Sequence, residues 1–410
     1  MKYRHRALSF LAVLSVLTYL DRVCISVAGP RIQTEFGLSP QQWGWVTGAF
    51  ALSYALFEIP GGDLADRWGA RAVLSAMVLW WSAFTTLTGV VTSLGALVVV
   101  RFLFGIGEAA AYPSASSIVF RWFPAVERGR AWAVVLLSGQ LGGVLAPLLV
   151  VPLQANFGWR SSFFVFGVFG VVWAVAWWRS HRNHPEEASG VSAQELTELG
   201  PPQAEDATCR GIPWRAIAAN RSIWALMGSA FAYLYAYYFF LFWLPTYLVR
   251  ARGFTESQSE LSALPFILGA LANLIGGTAR DSAMRRFGTK LGSRAISIAG
   301  LLTAAASGAA AVLSSSRYAS VALLALCYGG ITFQQPTVFA TCTDIGKRSA
   351  GAVAGCINMA AGLGGLASSL LYGYLIEHHG YDAALWSMVA MLGIAAALWL
   401  LVDATQSLEN

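Results

Sequence analysis

Gly62-Asp63-Leu64-Ala65-Asp66-Arg67-Trp68-Gly69-Ala70-Arg71 is a short charged stretch between two long apolar runs, 43 to 61 and 72 to 93. A partner stretch, Gly277-Thr278-Ala279-Arg280-Asp281, closes the apolar run 261 to 279. In both, a glycine stands four residues ahead of an aspartate and basic residues follow. Such an echo is what the duplication of a multi-helix unit leaves behind.

Outward from these stretches, apolar runs between charged or Gly/Pro breaks predict twelve spans. They lie near 8 to 28, 43 to 61, 72 to 93, 96 to 119, 131 to 152 and 162 to 178, then 223 to 248, 261 to 279, 295 to 313, 318 to 340, 351 to 375 and 383 to 402. The chain is 56% hydrophobic and 12% charged with a mean hydropathy of +0.57, against roughly 25% charged in a soluble protein. Runs of about 20 apolar residues cross a hydrocarbon core, so the bilayer is the solvent. The expected fold is an all-α membrane protein of twelve transmembrane helices in two six-helix bundles, residues 1–178 and 223–410.

The intervening 179–222 is polar, carries Pro201 and Pro202, and holds six of the 21 acidic residues. It reads as a cytoplasmic linker without structure of its own. With the N-terminus inside, 20 of the 27 Lys and Arg fall in cytoplasmic segments, five fall outside, and Arg22 and Arg101 lie in spans. That bias puts both termini in the cytoplasm. The net charge of +6 follows this topology and implies no nucleic acid. Lys2, Arg4 and Arg6 before an apolar run imitate a signal peptide, but no A-x-A site closes the run and Asp21 and Arg22 interrupt it. The five cysteines show no CxxC spacing, so neither a disulfide framework, a metal nor a cofactor is implied.

Asp21, Arg22, Glu58, Arg101 and Glu108 are read as intramembrane charges. Each costs about 2.5 to 3.5 kcal/mol at mid-membrane, roughly 12 to 18 for five, unless it faces water, another charge or a substrate. Adjacent Asp21 and Arg22 point about 100° apart around a helix, so one can serve a substrate while the other meets a neighbouring helix. Arg101 and Glu108, two turns apart, share a face about 10 Å apart along the axis. The blander readings are snorkelling or interfacial charges and a permanent ion pair. Whether an aqueous gate is open, and whether an anion occupies a neighbouring arginine, decides when a buried carboxyl such as Asp21 or Glu108 holds a proton, and Arg22 and Arg101 are the cations that such an anion would meet. Glu58, just before Pro60-Gly61-Gly62, reads as a gating residue that bonds the disrupted turn or pairs with an arginine.

The stretch from Gly62 to Arg71 resembles the G-x-L-A-D-R-x-G-x-R loop of the major facilitator superfamily. Tyr19-Leu20-Asp21-Arg22, Arg101-Phe102-Leu103-Phe104-Gly105-Ile106-Gly107-Glu108-Ala109, Phe242-Trp243-Leu244-Pro245-Thr246-Tyr247-Leu248 and Gly351, Gly355 and Asn358 extend the resemblance to its anion:cation symporter family. That family includes bacterial sugar-acid transporters and the sialin and vesicular glutamate transporters of animals. The resemblance implies alternating-access symport of a small organic anion with protons in the inner membrane, by a chain that works as a monomer. Tyr19, Tyr54, Gln140 and Asn358 then match positions that hydrogen-bond a ligand, although singly such residues are more often helix contacts worth about 0.6 kcal/mol. Asp66, Arg67 and Arg71, with Gly62 and Gly69 permitting close approach, match a latch between the halves, and Asp281 is its second-half counterpart. Three positions depart from the pattern: Ser282 stands where the first loop has Arg67, Glu58 where relatives are often uncharged, and Asp63 where an apolar side chain is common.

Other motifs are decoys. Gly105 to Ala110 imitates a GxGxxA fingerprint but no strand precedes it. Asn220-Arg221-Ser222 imitates a glycosylation site on what the topology makes the cytoplasmic side. Gly44/Gly48, Gly139/Gly143 and Gly351/Gly355 fit GxxxG and predict close helix packing. A facilitator, an exchanger or a drug exporter would use the same architecture. A membrane sensor would lack an extramembrane domain beyond the linker, and an enzyme would lack a nucleophile-base pair or metal-ligand spacing.

Overall fold

A computed structural model describes residues 2–188, 190–199 and 214–408, without the side chains of Asp66, Ala125, Val126, Ala193, Arg348 and Ala350. The described residues contain no strand. The helices are α1 Tyr3–Phe36, α2 Pro40–Trp68, α3 Ala70–Thr88, α4 Leu94–Ala109, α5 Ala111–Trp122, α6 Ala125–Phe157 and α7 Arg160–Ser180. There follow α8 Ala193–Leu199, α9 Trp214–Ala219, α10 Arg221–Phe242, α11 Leu244–Arg250, α12 Leu264–Leu313, α13 Arg317–Gly346 and α14 Ala350–Trp399.

Eight of these helical stretches are long and apolar enough to cross a membrane. One of them joins α4 and α5 across a bend at Ala110. The 50 residues of α12 would reach about 75 Å if straight, far beyond a bilayer core. Gly288 and Gly380 have non-helical backbone inside α12 and α14, so each of these holds two crossings. With α2 and α13 the total is the twelve spans that the hydropathy pattern predicts.

The turns carry the internal repeat more clearly than the sequence does. Among the described residues, positive φ occurs at six glycines: Gly37 (63°), Gly69 (82°) and Gly158 (79°), then Gly253 (67°), Gly288 (77°) and Gly380 (80°). Each half thus places one after its first, second and fifth spans, where the chain must reverse through the region that glycine alone enters freely. Ser93 and Ser316, ahead of the fourth and tenth spans, likewise cap their helices by accepting from Ala96 and Ala319 backbone N–H groups. The stretch read as a loop, 62 to 71, is almost entirely helical. α2 continues to Trp68 and the reversal is Gly69 alone, where a Cβ would stand 2.3 Å from Asn183. Of the three GxxxG pairs, Gly44 packs against the backbone of Ser369 and Gly139 against Tyr19. Among the described residues, nothing lies within 4 Å of a Cβ placed on Gly351 or Gly355, so that pair shows no close contact there. Asn220 is a helix cap whose Oδ1 accepts from the N–H groups of Ser222 and Ile223.

Contacts divide the chain into two compact units. The first is Met1–Ala28 with Leu52–Cys209, and the second is Gly29–Ala51 with Arg210–Asn410. Within the second unit, the segment Gly29–Ala51 is tied down by Arg31 Nε to Glu256 (2.6 Å) and by Ser39 Oγ and Gln41 N to the Glu377 carboxylate (2.6 and 2.8 Å). Phe50 also packs edge-on against Phe242, with centroids 5.8 Å apart.

In the first unit, the start of the linker is ordered, contrary to its composition. The N–H groups of Tyr3 and Arg4 donate to the Glu195 carboxylate at 3.0 and 2.9 Å. A residue from α8 thus satisfies the free donors of α1, where the helix dipole favours an anion. Lys2 Nζ reaches Glu198 at 2.7 Å, and Arg4 Nη2 reaches Glu198 at 2.9 Å and Glu127 at 3.2 Å. Pro201, Pro202 and Cys209 lie outside the described residues.

His181, just beyond α7, stacks on Trp177 at 3.8 Å and leans on Trp122 at 5.2 Å. Burial, and then the positive charges of Arg71, Arg182 and Arg6, push its pKa from 6.5 down to about 3. The folded ring is therefore neutral, and folding loses stability as pH falls below 6.5 toward 3, by about 1.4 kcal/mol per unit over that window. The melting temperature of the solubilised protein should fall more steeply between pH 7 and pH 5 than that of His181→Phe. Parallel slopes would rule this out.

Candidate functional site

Four ionisable side chains read from the sequence come together inside the first unit, on α1 and α4. Asp21, Arg22, Arg101 and Glu108 are 5%, 6%, 2% and 0% exposed. Arg22 Nε donates to Glu108 Oε2 at 3.0 Å. Its guanidinium also lies 4.5 Å from the Tyr54 ring of α2 and 5.7 Å from Tyr19, a cation–π arrangement that strengthens in a dry site. Arg101 lies 4.4 Å over Phe104 of its own helix. Asp21 sits within the electrostatic reach of Glu108 and Arg101.

Small residues let the backbones approach. A Cβ on Gly107 would stand 2.6 Å from Trp80, and one on Gly61 would stand 2.9 Å from Ala110. The Trp80 indole donates to the Leu103 carbonyl at 2.8 Å, fixing α3 against α4. The bend at Ala110, two residues past Glu108, separates α4 from α5.

Beyond the bend, Tyr112 shares a hydrogen bond of 3.1 Å with Ser15. The sequence reading missed this pair. Its signal is helix spacing: Tyr112 lies four residues after Glu108, and Ser15, Tyr19 and Arg22 follow i, i+4, i+7 on one face of α1. Gln140 is buried on α6, beside Gly139, whose Cβ position lies 2.9 Å from Tyr19. Glu58 is half-buried one turn beyond Tyr54 and feels the charge of Arg22.

Asn358, half-buried on α14, belongs to the second unit. Inside that unit a buried polar contact is neutral. Tyr328 donates to the Tyr237 hydroxyl at 3.0 Å, the rings stack at 5.1 Å, and Phe240 and Phe266 meet Tyr328 edge-on.

Of the residues matched to a latch, Arg67 Nε bonds Asp63 one turn earlier at 3.0 Å on an exposed surface. Arg71 ties the start of α3 to α7. Its Nε and Nη2 donate to the Trp178 carbonyl at 3.0 and 2.6 Å, and its backbone N–H donates to Asn183 Oδ1 at 2.9 Å. A Cβ on Gly62 would stand 3.3 Å from Pro113. The Asp66 side chain lies outside the described residues. Asp281 is exposed, 3.9 Å from Arg280, whose shorter bond of 2.8 Å goes to Asp344.

Twelve membrane spans with charges paired in their interior are the build of a solute transporter. The chain belongs to the Major Facilitator Superfamily, whose family model matches residues 11–369, as the loop motif implies. It is 34% identical to a probable sulfoacetate transporter of Cupriavidus necator, over 100% of this chain and 96% of that protein. It is 30% identical to a D-galactonate transporter of Escherichia coli, over 98% and 96%. Its fold matches a solved bacterial homologue of the human lysosomal transporter Spinster, described as inward-facing and occupied, with a TM-score of 0.77, 23% identity and coverage of 97% and 96%. The chain is an integral membrane transporter, not an enzyme.

Removing one partner of a buried ion pair costs about 3–5 kcal/mol, because the other charge stays behind in low dielectric. Arg22→Met should therefore lower the melting temperature markedly, and Glu108→Gln added to it should recover much of the loss. A double variant no more stable than Arg22→Met would refute a stabilising pair.

Proposed function

We propose that this chain is a proton-coupled symporter that carries a small organic anion, a sugar acid or other carboxylate, by alternating access. The charge balance of the buried cluster carries this reading. Two carboxyls and two guanidiniums cancel when all are ionised, so an entering monoanion leaves one uncompensated negative charge among groups at most 6% exposed. Uptake of a proton by Asp21 or Glu108 removes that charge, which would otherwise cost several kcal/mol. Asp21 Oδ1 and Glu108 Oε1 are buried with no hydrogen-bond partner among the described residues, and each offers a place for such a proton. Arg22 and Arg101 would bind the anion, since charge-assisted bonds to a carboxylate are the strong ones. Glu58, half-buried one turn beyond Tyr54, is counted with the gating residues and not in this balance.

Tyr19, Tyr54, Gln140 and Asn358 supply hydrogen bonds to the substrate. The bundles 1–178 and 223–410, joined by 179–222, alternate access, with both termini in the cytoplasm and the chain acting as a monomer in the inner membrane. The distribution of Lys and Arg supports that orientation, and relatives named for sulfoacetate and D-galactonate support an anionic substrate.

The decisive measurement is uptake into proteoliposomes under an imposed pH gradient, with candidate anions first selected by thermal stabilisation. Glu108→Gln should lose accumulation while counterflow of the same anion persists. Accumulation that survives in this variant, or that is indifferent to the gradient in the parent, would instead mark a facilitator or exchanger.

Gating falls to Glu58, Gly62, Asp66, Arg67, Gly69, Arg71 and, more weakly, Asp281. Asp281 is exposed and poorly paired, so the first-half stretch carries most of the latch. If Asp66 contributes about 1 to 2 kcal/mol at a helix terminus, Asp66→Asn should shift the conformational equilibrium about five- to thirty-fold. Labelling of single cysteines from the cytoplasmic side reads this shift, and Asp281→Asn should move it less. A larger shift in Asp281→Asn would reverse the assignment.

A further inference from the structure

Away from the charge cluster, the first unit has a cleft of about 510 Å³ where the start of α1 meets the end of α7 and the chain beyond it. Lys2, Arg6, Arg179 and Arg182 line it, with Glu187 as its acidic lining residue. Lys2 is committed to Glu198. The guanidiniums of Arg6, Arg179 and Arg182 have no carboxylate within ion-pair distance among the described residues. Arg182 Nη1 donates to the His181 carbonyl at 2.9 Å, and Arg6 leans over the Tyr3 ring at 5.7 Å. Three like charges around one cavity repel each other, and an anion filling the cavity removes that cost. A planar guanidinium presents paired donors that match phosphate oxygens.

The neighbouring surface narrows the class of anion. Phe164, Val168, Val171, Val175 and Trp178 are exposed along α7, at i, i+4, i+7, i+11 and i+14, and the stripe ends beside Arg179. Phe10 adds an apolar wall to the cleft itself. A basic cavity at the end of a span whose helix carries an exposed apolar stripe fits a ligand with an anionic head and long hydrocarbon chains.

We propose that this cleft binds the phosphate headgroup of an anionic phospholipid, whose acyl chains lie along the exposed face of α7. The site is separate from the transport cluster and does not depend on which solute is carried.

The test compares melting temperatures of the full-length protein in mixed micelles containing phosphatidylglycerol or phosphatidylcholine, with no transport substrate present. Phosphatidylglycerol should raise the melting temperature above the phosphatidylcholine value. Arg6→Gln/Arg179→Gln/Arg182→Gln should lose most of that difference, and the charge-matched control Arg215→Gln/Arg285→Gln/Arg286→Gln, at exposed positions of the second unit, should keep it. Arg179→Gln alone, at an exposed position, should show a partial loss and serves if the triple variant does not fold. Equal effects of the two lipids, an undiminished shift in the cleft variants, or an equal loss in the control would overturn the proposal. Protection by inorganic phosphate or glycerol 3-phosphate equal to that by the lipid would assign the cleft to a soluble anion instead. Transport that fails to couple to protons would leave all of these outcomes unchanged.

Discussion

The low dielectric of the membrane interior makes every buried charge answerable to a partner, and the bond from Arg22 to Glu108 is where the first unit meets that demand. It joins α1 to α4, and Tyr54 brings α2 to the same guanidinium. The close approaches at Gly61 and Gly107 hold the neighbouring backbones near enough for these contacts. A pair that is costly to bury and costly to break is a poor staple for mere stability. It is well suited to a site whose charge must be redistributed when a ligand arrives.

The second unit solves a different problem. One of its buried polar contacts is a pair of tyrosine hydroxyls, Tyr237 and Tyr328, among aromatic rings, while its ion pairs, such as Arg280 with Asp344, are partly exposed. Neutral hydrogen bonds need no counterion, so the two units differ in electrostatic character although their turns repeat one another. The duplication is therefore kept in the backbone, at glycines and caps, while the chemistry has separated.

Much of this was legible in the sequence because the bilayer imposes so few choices. Span number followed from apolar run length, and the intramembrane charges stood out because nothing but pairing or function tolerates them. The partner of Arg22 was not legible. A carboxylate on another helix, Glu58 or Glu108, and a substrate anion were open choices, and selecting Glu108, 86 residues away, requires the packing of α1 on α4. The ordered start of the linker escaped for a related reason. Glu195 has no use for its charge within its own segment and finds one only at the unpaired N–H groups of α1. The polarity of the stretch around Gly69 suggests a loop, yet a helix that leaves the membrane becomes charged without unwinding. Gly351 and Gly355 show the converse, a packing motif that meets no neighbour within contact distance among the described residues.

Asp66 precedes its reversing glycine, Gly69, by three residues, and Asp281 precedes Gly288 by seven. The difference of four residues is about 400° of rotation and about 6 Å of rise. Insertion of so nearly one whole turn leaves each side chain on almost its original face and alters chiefly the depth at which the helix ends. The charged tip after the eighth span thus extends farther beyond its aspartate than its counterpart after the second. A repeat can in this way change how far a charge projects toward the aqueous phase without changing the direction in which it points.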